Sequence, residues 1–253
     1  MASQKQRLHG LHCVGEALRA GRRDIHRLFL RPGRRGSAVS AILERAAALG
    51  IPVVDLDVSS AGSESDLGND QGVALEVGSL PEYGLHELLG MNPRGKYRRI
   101  VALDRVEDPQ NVGSIVRVAE AAGIDGLLLT RRRAPPLSPS VARASAGALE
   151  WLPVSRVSNL GNALKLLKEK GFWVVGADPS GEESLFELPD RFFRANLVVV
   201  MGAEGPGLRM GVHRHLDHRL RIPLSGRVSS LNVAAATALL LFEAQRRAGP
   251  KST

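Results

Sequence analysis

The 253-residue sequence contains one cysteine, Cys13, and few aromatic residues, which make up 4% of the chain. A single cysteine cannot form a disulfide within the chain and cannot build a cysteine-rich zinc site, so a reducing compartment, the cytoplasm, is expected. The scarcity of aromatic side chains argues against a platform on which unpaired bases stack.

The sequence also lacks a long hydrophobic run. Residues 1–7 are polar where a signal peptide would carry an apolar core. The most apolar stretch, residues 233–242, is far shorter than the roughly 20 residues that a membrane-spanning helix needs. We therefore expect neither export nor membrane insertion.

Basic residues are abundant and clustered. The chain has 34 Lys and Arg against 26 Asp and Glu, a net charge of +8. The excess is concentrated in residues 1–35, 94–99 and 131–133. Such clusters attract a polyanion by neutralising its phosphates, so nucleic acid is the expected partner class, with a solvated basic surface as the alternative.

Segments typical of strands and helices alternate along the chain, which predicts an α/β protein. Residues 1–78 are interpreted as a small α/β domain and the Gly- and Pro-rich stretch 79–97 as a linker. Residues 98–253 alternate more regularly, which predicts a doubly wound parallel sheet. In that architecture a ligand lies at the carboxyl ends of the strands, here in the loops after Leu103, Met201 and Ile222.

The first of these loops leads into a helix predicted over residues 111–122, with Asn111 as a possible cap. The helical spacing places Val112 and its apolar neighbours on one face and Arg117 on the opposite face, which on spacing alone indicates a solvated residue. Gly113 lowers helix stability and suggests the close approach of a ligand or another backbone.

The second loop, residues 201–209, has three glycines around Glu204. It matches neither a phosphate-binding P-loop nor the dinucleotide fingerprint, and it can be either a flexible turn or a wrap around a nucleoside-like ligand.

The third loop leads into the C-terminal helix, predicted over residues 231–247 with Ser229 or Ser230 as its cap. This helix is apolar on nearly all faces, so the fold or a partner subunit has to enclose it. Asn232 is a poor helix former beside the cap and is a candidate to reach a ligand.

The seven histidines show no spacing typical of metal ligands, and we expect them on the surface or in packing. No Ser-His-Asp or Cys-His arrangement is evident.

Together the three loops resemble the signature motifs of the SpoU/TrmH family of RNA 2′-O-ribose methyltransferases, within the SPOUT superfamily. The matching patterns are Asn111-x-Gly113-x-x-x-Arg117, Met201-Gly-Ala-Glu-Gly-x-Gly207 and Ile222-Pro-x-x-Gly-x-x-x-Ser230-Leu-Asn-Val. The resemblance implies a C-terminal SPOUT domain with a parallel sheet and a deep trefoil knot, a rare exception to the rule against threaded chains. It also implies a homodimer formed through that domain, which would enclose the apolar final helix.

The resemblance further implies S-adenosyl-L-methionine as cofactor, held by backbone groups near Gly202, Ile222 and Leu231. It assigns activation of the ribose hydroxyl to Arg117, supported by four residues: Asn111, Glu204, Ser230 and Asn232. Because a guanidinium normally stays protonated, Arg117 acts either as a base or by orienting the hydroxyl and stabilising the forming alkoxide. No metal is required, since the leaving sulfonium already carries a positive charge.

The N-terminal segment, with residues 10–18 and 71–74, resembles the ribosomal-protein L30e-like RNA-binding domain of 23S rRNA guanosine 2′-O-methyltransferases. Asp70 stands where that family usually has His. The resemblance implies 23S rRNA as partner and a guanosine of the peptidyltransferase P-loop as target. Within the basic cluster of residues 1–35, we expect four arginines to bind the RNA: Arg22, Arg23, Arg34 and Arg35. The alternatives are the same reaction on tRNA and a non-catalytic RNA-binding protein of ribosomal type.

Overall fold

A computed structural model describes residues 5–56 and 71–249. Asp70, where the chain departs from the family pattern, lies outside the described residues. The strands are β1 (Gln6–His9), β2 (Ile25–Leu30), β3 (Val53–Asp55), β4 (Val73–Val77), β5 (Arg99–Asp104), β6 (Gly126–Thr130), β7 (Val154–Val157), β8 (Trp173–Ala177), β9 (Glu183–Ser184), β10 (Leu197–Gly202) and β11 (His218–Arg221). The helices are α1 (Leu11–Ala20), α2 (Ser37–Ala48), α3 (Leu85–Gly90), α4 (Pro109–Ala121), α5 (Pro139–Ala144), α6 (Leu160–Glu169), α7 (Asp190–Phe193), α8 (Met210–His213) and α9 (Val233–Arg247).

The chain divides into two compact units, one formed by residues up to 81 together with 136–151, the other by 82–135 together with 152 onwards. In the first unit a four-stranded sheet has the order β1-β4-β2-β3, with β4 antiparallel to both β1 and β2. Helices α1 and α2 pack against each other. Helix α2 buries Val39, Ile42 and Ala46.

Residues 136–151 belong to the first unit, although they come after β5 and β6 of the second unit in sequence. They belong there because α5 contacts β1 and the 3₁₀ turn Ala148–Glu150 contacts α1. A buried ion pair joins them to the segment between α1 and β2: the side chains of Arg23 and Glu150 are both 0% exposed. Arg23 Nε lies 2.8 Å from one carboxylate oxygen of Glu150 and Nη2 lies 2.9 Å from the other. A pair this well satisfied avoids the large cost of a lone buried charge.

The second unit contains a seven-stranded sheet with the order β7-β6-β5-β10-β8-β11-β9, and all its strand pairs are parallel. The predicted parallel sheet is therefore confirmed. Strand β10 lies at its centre, and Leu197–Met201 are buried, as expected for a strand covered on both faces. The stretch 82–97 is part of this unit: Leu88 of α3 is buried in its core and Tyr83 N donates to Val154 O at 2.9 Å.

Helix α4 confirms the predicted apolar face, because Val112, Ile115, Val116 and Ala119 are buried. Its cap is Asp108, however, and not Asn111. The Asp108 carboxylate accepts from the backbone amides of Gln110 at 3.2 Å and Asn111 at 3.0 Å, and Pro109 occupies the first helical position. The side chain of Asn111 is thereby left for another role.

Helix α9 begins at Val233, and the predicted serine cap was wrong. Its cap is Asn232, whose Oδ1 accepts from the backbone amides of Ala234 at 2.9 Å and Ala235 at 3.4 Å. The helix packs against α4 and β10. Its opposite side remains open within the described chain, with Leu239 42% exposed and Phe242 47% exposed. Among residues 5–56 and 71–249, no helix has the length and apolar character needed to cross a bilayer.

Candidate active site

The loops predicted to hold a ligand meet at the carboxyl edge of the parallel sheet. Strands β5 and β10 are neighbours, and their last residues, Asp104 and Gly202, are register partners. The loop after β5 therefore starts beside the loop after β10. This arrangement is the one that the position of ligands in doubly wound sheets predicts.

Three side chains, one from each sequence motif, form a hydrogen-bonded cluster. Asn232 Nδ2 donates to Glu204 Oε1 at 2.7 Å and to Asn111 Oδ1 at 2.8 Å. Asn111 Nδ2 donates to the same Glu204 oxygen at 3.3 Å, and so does the backbone amide of Val233 at 3.3 Å. The structure thus brings together Asn111, Glu204 and Asn232, which lie 28 to 121 residues apart in sequence.

A second contact, which sequence reasoning missed, fixes the far end of the loop after β10. Asp104 is fully buried and accepts from the backbone amide of Arg209 at 3.0 Å and from its Nε at 2.7 Å. A buried carboxylate needs such partners. The available signal was the position of Asp104, an acid that ends a buried strand.

Gly202 is required by the path of this loop. A Cβ atom placed there would lie 2.4 Å from the carbonyl carbon of Gly207, so no other residue fits without moving the backbone. Gly207 N donates to Ala203 O at 3.0 Å, closing the turn. Gly205 and Gly207 have φ values of 80° and 64°, in the left-handed region that favours glycine.

The segment between β11 and α9 presents its backbone without internal partners. Within the described chain, no hydrogen bond involves a backbone amide or carbonyl of residues 222–231. Ile222 and Leu231, predicted to contact the cofactor, are half-buried, whereas Ser230 is exposed. These exposed groups are available to water or to a ligand, so the segment is able to recognise a ligand through its main chain.

Arg117 projects from α4 on the face opposite its buried side, as its spacing predicted. It makes no hydrogen bond or ion pair with any residue that the structure describes, and neither does the side chain of Ser230. The structure therefore does not join these two residues to the cluster. The Arg117 guanidinium has all its donors available to a substrate.

The four arginines predicted to bind RNA differ in their surroundings. Arg34 and Arg35 are exposed. Arg22 is half-buried, and its Nη1 donates to Glu150 O at 2.9 Å. The buried pairing of Arg23 with Glu150 argues against the predicted RNA contact, because its guanidinium is already bonded inside the first unit.

No group of three or more His, Cys, Asp or Glu side chains among residues 5–56 and 71–249 is arranged to hold a metal ion. The cluster at the sheet edge contains one carboxylate and two amides, which is a set suited to hydrogen bonding.

Two models of known protein families match this chain. Residues 98–242 match the model of the SpoU rRNA methylase family, and residues 7–83 match that of the RNA 2′-O ribose methyltransferase substrate-binding domain. The 23S rRNA (guanosine-2′-O-)-methyltransferase RlmB of Pseudomonas aeruginosa is 34% identical over 98% of this chain and 99% of its own length. The putative TrmH family tRNA/rRNA methyltransferase YacO of Bacillus subtilis is 32% identical over 99% of each chain.

Solved structures agree with this result. The AdoMet-bound rRNA methyltransferase from Sinorhizobium meliloti superposes with a TM-score of 0.74 and 28% identity, covering 96% of this chain and 87% of that one. A putative RNA methyltransferase of the TrmH family from Porphyromonas gingivalis gives a TM-score of 0.71 and 30% identity. The family model covers more than half of the chain, and its residues include all three loops that meet at the sheet edge. The chain is therefore a member of the SpoU rRNA methylase family.

Proposed function

We propose that this protein transfers the methyl group of S-adenosyl-L-methionine to the 2′-hydroxyl of a guanosine ribose in 23S rRNA. The observation that carries the proposal is the Asn111–Glu204–Asn232 cluster, which ties together the three motif loops of the family. A turn without a function would not need two amide side chains and a backbone amide from distant segments to donate to one carboxylate oxygen.

The sheet edge fits the cofactor. The unpaired backbone of residues 222–231 offers donors and acceptors to an adenosine, and the closed turn at Gly202 brings the main chain of the neighbouring loop close. We expect Gly202, Ile222 and Leu231 to hold the cofactor in this way. A solved relative, the Sinorhizobium meliloti enzyme, is described as AdoMet-bound. When bound, the cofactor supplies an activated methyl group on a sulfonium.

Arg117 is the residue to which we assign activation of the ribose hydroxyl. Its guanidinium is exposed and lacks a partner in the described chain, so it is able to donate to an incoming oxygen. Because a guanidinium stays protonated, we assign Arg117 to orienting the hydroxyl and stabilising the developing alkoxide. As the oxygen–carbon bond forms and the methyl–sulfur bond breaks, the hydroxyl proton passes to solvent water. Ser230, exposed on the adjacent segment, is placed in a supporting role, and the Asn111–Glu204–Asn232 cluster sets the loop positions.

The substrate assignment draws on the relatives and on charge. The Pseudomonas relative is named as a 23S rRNA guanosine methyltransferase, whereas the Bacillus relative is named for tRNA or rRNA. We propose that Arg22, Arg34 and Arg35 contribute to binding rRNA phosphates in the cytoplasm and that the target is a guanosine of the peptidyltransferase P-loop. The matched substrate-binding model over residues 7–83 supports an RNA role for the first unit.

We further propose the L30e-like assignment of the first unit, a trefoil knot in which the loops after β10 and β11 cross, and a homodimer through the second unit. The contact of Glu204 with Asn232 joins those two loops, and the proposed knot requires that they lie side by side. The exposed apolar side chains Leu239 and Phe242 of α9 support the dimer, because an isolated chain would leave them in water.

The test combines cofactor binding with methyl transfer. Calorimetry with S-adenosylmethionine should show binding near micromolar concentration, and transfer of labelled methyl to a 23S rRNA transcript should exceed transfer to bulk tRNA. Mapping of ribose methylation in rRNA from cells with and without the gene should then locate the nucleotide. Transfer confined to tRNA would support the tRNA alternative. Absence of cofactor binding would overturn the enzyme and, if the protein still binds RNA, would support a non-catalytic RNA-binding protein.

A further inference from the structure

A cavity of about 240 Å³ opens at the carboxyl edge of the sheet in the second unit. Four of its eight lining residues are arginines, Arg105, Arg132, Arg133 and Arg209, and none is acidic. Two of the four arginines, Arg132 and Arg133, belong to the basic cluster at residues 131–133. The proposed methyl transfer gives these two arginines no role.

The charges in this cavity are only partly neutralised. Arg209 is paired with the buried Asp104, so its charge is balanced. Arg105, Arg132 and Arg133 form no ion pair with any residue in the described ranges. Three uncompensated guanidinium groups around one cavity strongly favour an anion.

Arg105 has two unfavourable features, one in its side chain and one in its backbone. Its Nε is buried and has no hydrogen-bond partner among the described residues. Its φ is 61°, in the left-handed region that an arginine seldom adopts. An unpaired buried donor and an unfavourable backbone conformation both lower stability, and an anion that accepts from Nε would offset the first cost.

Two further features of this cavity also favour an anion. Asn159 caps α6 by accepting from Asn162 N at 3.1 Å, and Asn159 and Leu160 line the cavity, so the positive end of this ten-residue helix faces it. Thr130 Oγ1 donates to Arg132 O at 2.5 Å, which fixes the turn that carries Arg132 and Arg133. Guanidinium groups and a helix N-terminus together are the donors that proteins use for phosphate.

We propose that this cavity, the arginine cavity, binds a phosphodiester group of the RNA substrate beside the methylated nucleotide. The inference rests on the proposed function, because it takes RNA as the substrate. Arg105 directly follows Asp104, and Arg209 ends the loop that carries Glu204, so the cavity adjoins the loops of the candidate active site. A phosphate held here anchors the RNA backbone while the ribose reaches the cofactor.

Arg105→Gly is the informative substitution. Glycine suits the left-handed backbone, so the variant should unfold at the same temperature as the parent or a higher one. Affinity for a 23S rRNA transcript should fall about tenfold, as expected for the loss of a charge-assisted hydrogen bond. The slope of log Kd against log salt concentration should fall by about 0.7 to 0.9 for each lost phosphate contact. Arg132→Ala with Arg133→Ala should act in the same direction, and S-adenosylmethionine affinity should not change.

Arg214→Ala is the matched control, because this exposed arginine does not line the cavity. If the parent methylates rRNA but Arg105→Gly binds RNA with the affinity and salt slope of Arg214→Ala, the arginine cavity does not hold a phosphate, while the proposed function stands. If the cavity variants and Arg214→Ala all weaken RNA binding by the same factor, the arginine cavity is likewise not a specific phosphate site. If the parent methylates no RNA, the proposed function fails, and the salt slopes of the binding curves alone decide for or against the phosphate site.

Discussion

The amide nitrogen of Asn232 lies 2.7 Å from a carboxylate oxygen of Glu204, while the amide oxygen of the same Asn232 caps helix α9. One side chain therefore joins the loop after β10 to the start of the C-terminal helix. The geometry couples the stability of that helix to the position of the candidate active site.

Substitution of Asn232 should separate these two roles. Asn232→Ala removes the cap and should lower the free energy of unfolding by about 1 kcal/mol. Asn232→Asp keeps an oxygen for the cap but places a second carboxylate beside Glu204. Like charges at that distance repel, so Asn232→Asp should lose more stability at pH 7 than at pH 4 and should lower kcat.

Urea unfolding and methyl-transfer assays of these variants provide the measurements. Ser229→Ala is the control for the cap, since Ser229 is exposed and does not cap α9, and its unfolding free energy should equal that of the parent. A loss of about 1 kcal/mol in Ser229→Ala with none in Asn232→Ala would contradict the cap assignment.

Arg117→Ala should abolish methyl transfer, with a fall in kcat of at least about a hundredfold. Arg117 has no partner among the described residues, so the melting temperature, dimer content and S-adenosylmethionine affinity should stay the same. Arg117→Lys keeps the charge but loses the planar fork of donors, and it should restore only part of the activity. Activity of Arg117→Ala near the parental level would refute the assigned role.

The sequence predicted those features that depend on local pattern. The apolar spacing of Val112, Ile115 and Val116 identified the buried face of α4. The regular alternation of strand-like and helix-like segments identified the parallel sheet. Both signals are local in sequence, where periodicity and burial are directly linked. The loops at the strand ends followed from the general position of sites in such sheets.

Features set by distant partners were not predictable in this way. Asp108 and Asn232 became the helix caps where Asn111 and a serine were expected, because several adjacent residues were chemically able to cap. Arg23 was expected to bind RNA because basic clusters are usually exposed, but its partner, Glu150, lies 127 residues further along the chain. No local pattern carries that information.

The lowered pKa of Glu243 predicts that the stability contributed by the C-terminal helix falls at low pH. Hydrogen bonds from Arg246 and, secondarily, from Arg247 lower the pKa of Glu243 from 4.5 to about 2. A carboxyl group with a depressed pKa in the folded state stabilises the fold above pH 4.5 and loses this contribution as the pH falls towards 2. Glu243→Gln should therefore lower the unfolding free energy by about 1 kcal/mol at pH 7.

The difference between parent and Glu243→Gln should shrink steadily between pH 4.5 and pH 2, as followed by urea unfolding. Glu182→Gln serves as the comparison, because the Glu182 side chain is 93% exposed and its removal should leave stability unchanged at every pH. A difference for Glu243→Gln that does not depend on pH would contradict the role of its charge.

The buried pair of Arg23 and Glu150 makes the strongest stability prediction. Arg23→Ala leaves the carboxylate of Glu150 buried without its counter-ion and should lower the free energy of unfolding by about 3 to 5 kcal/mol. Combining Arg23→Met with Glu150→Leu removes both charges and should recover most of that loss, because the cost arises from the uncompensated charge. Arg35→Ala, at an exposed position, should leave stability unchanged and weaken RNA binding. If Arg23→Ala instead kept the parental stability and weakened RNA binding as Arg35→Ala does, Arg23 would be an RNA ligand and the ion pair would not be a structural element of the first unit.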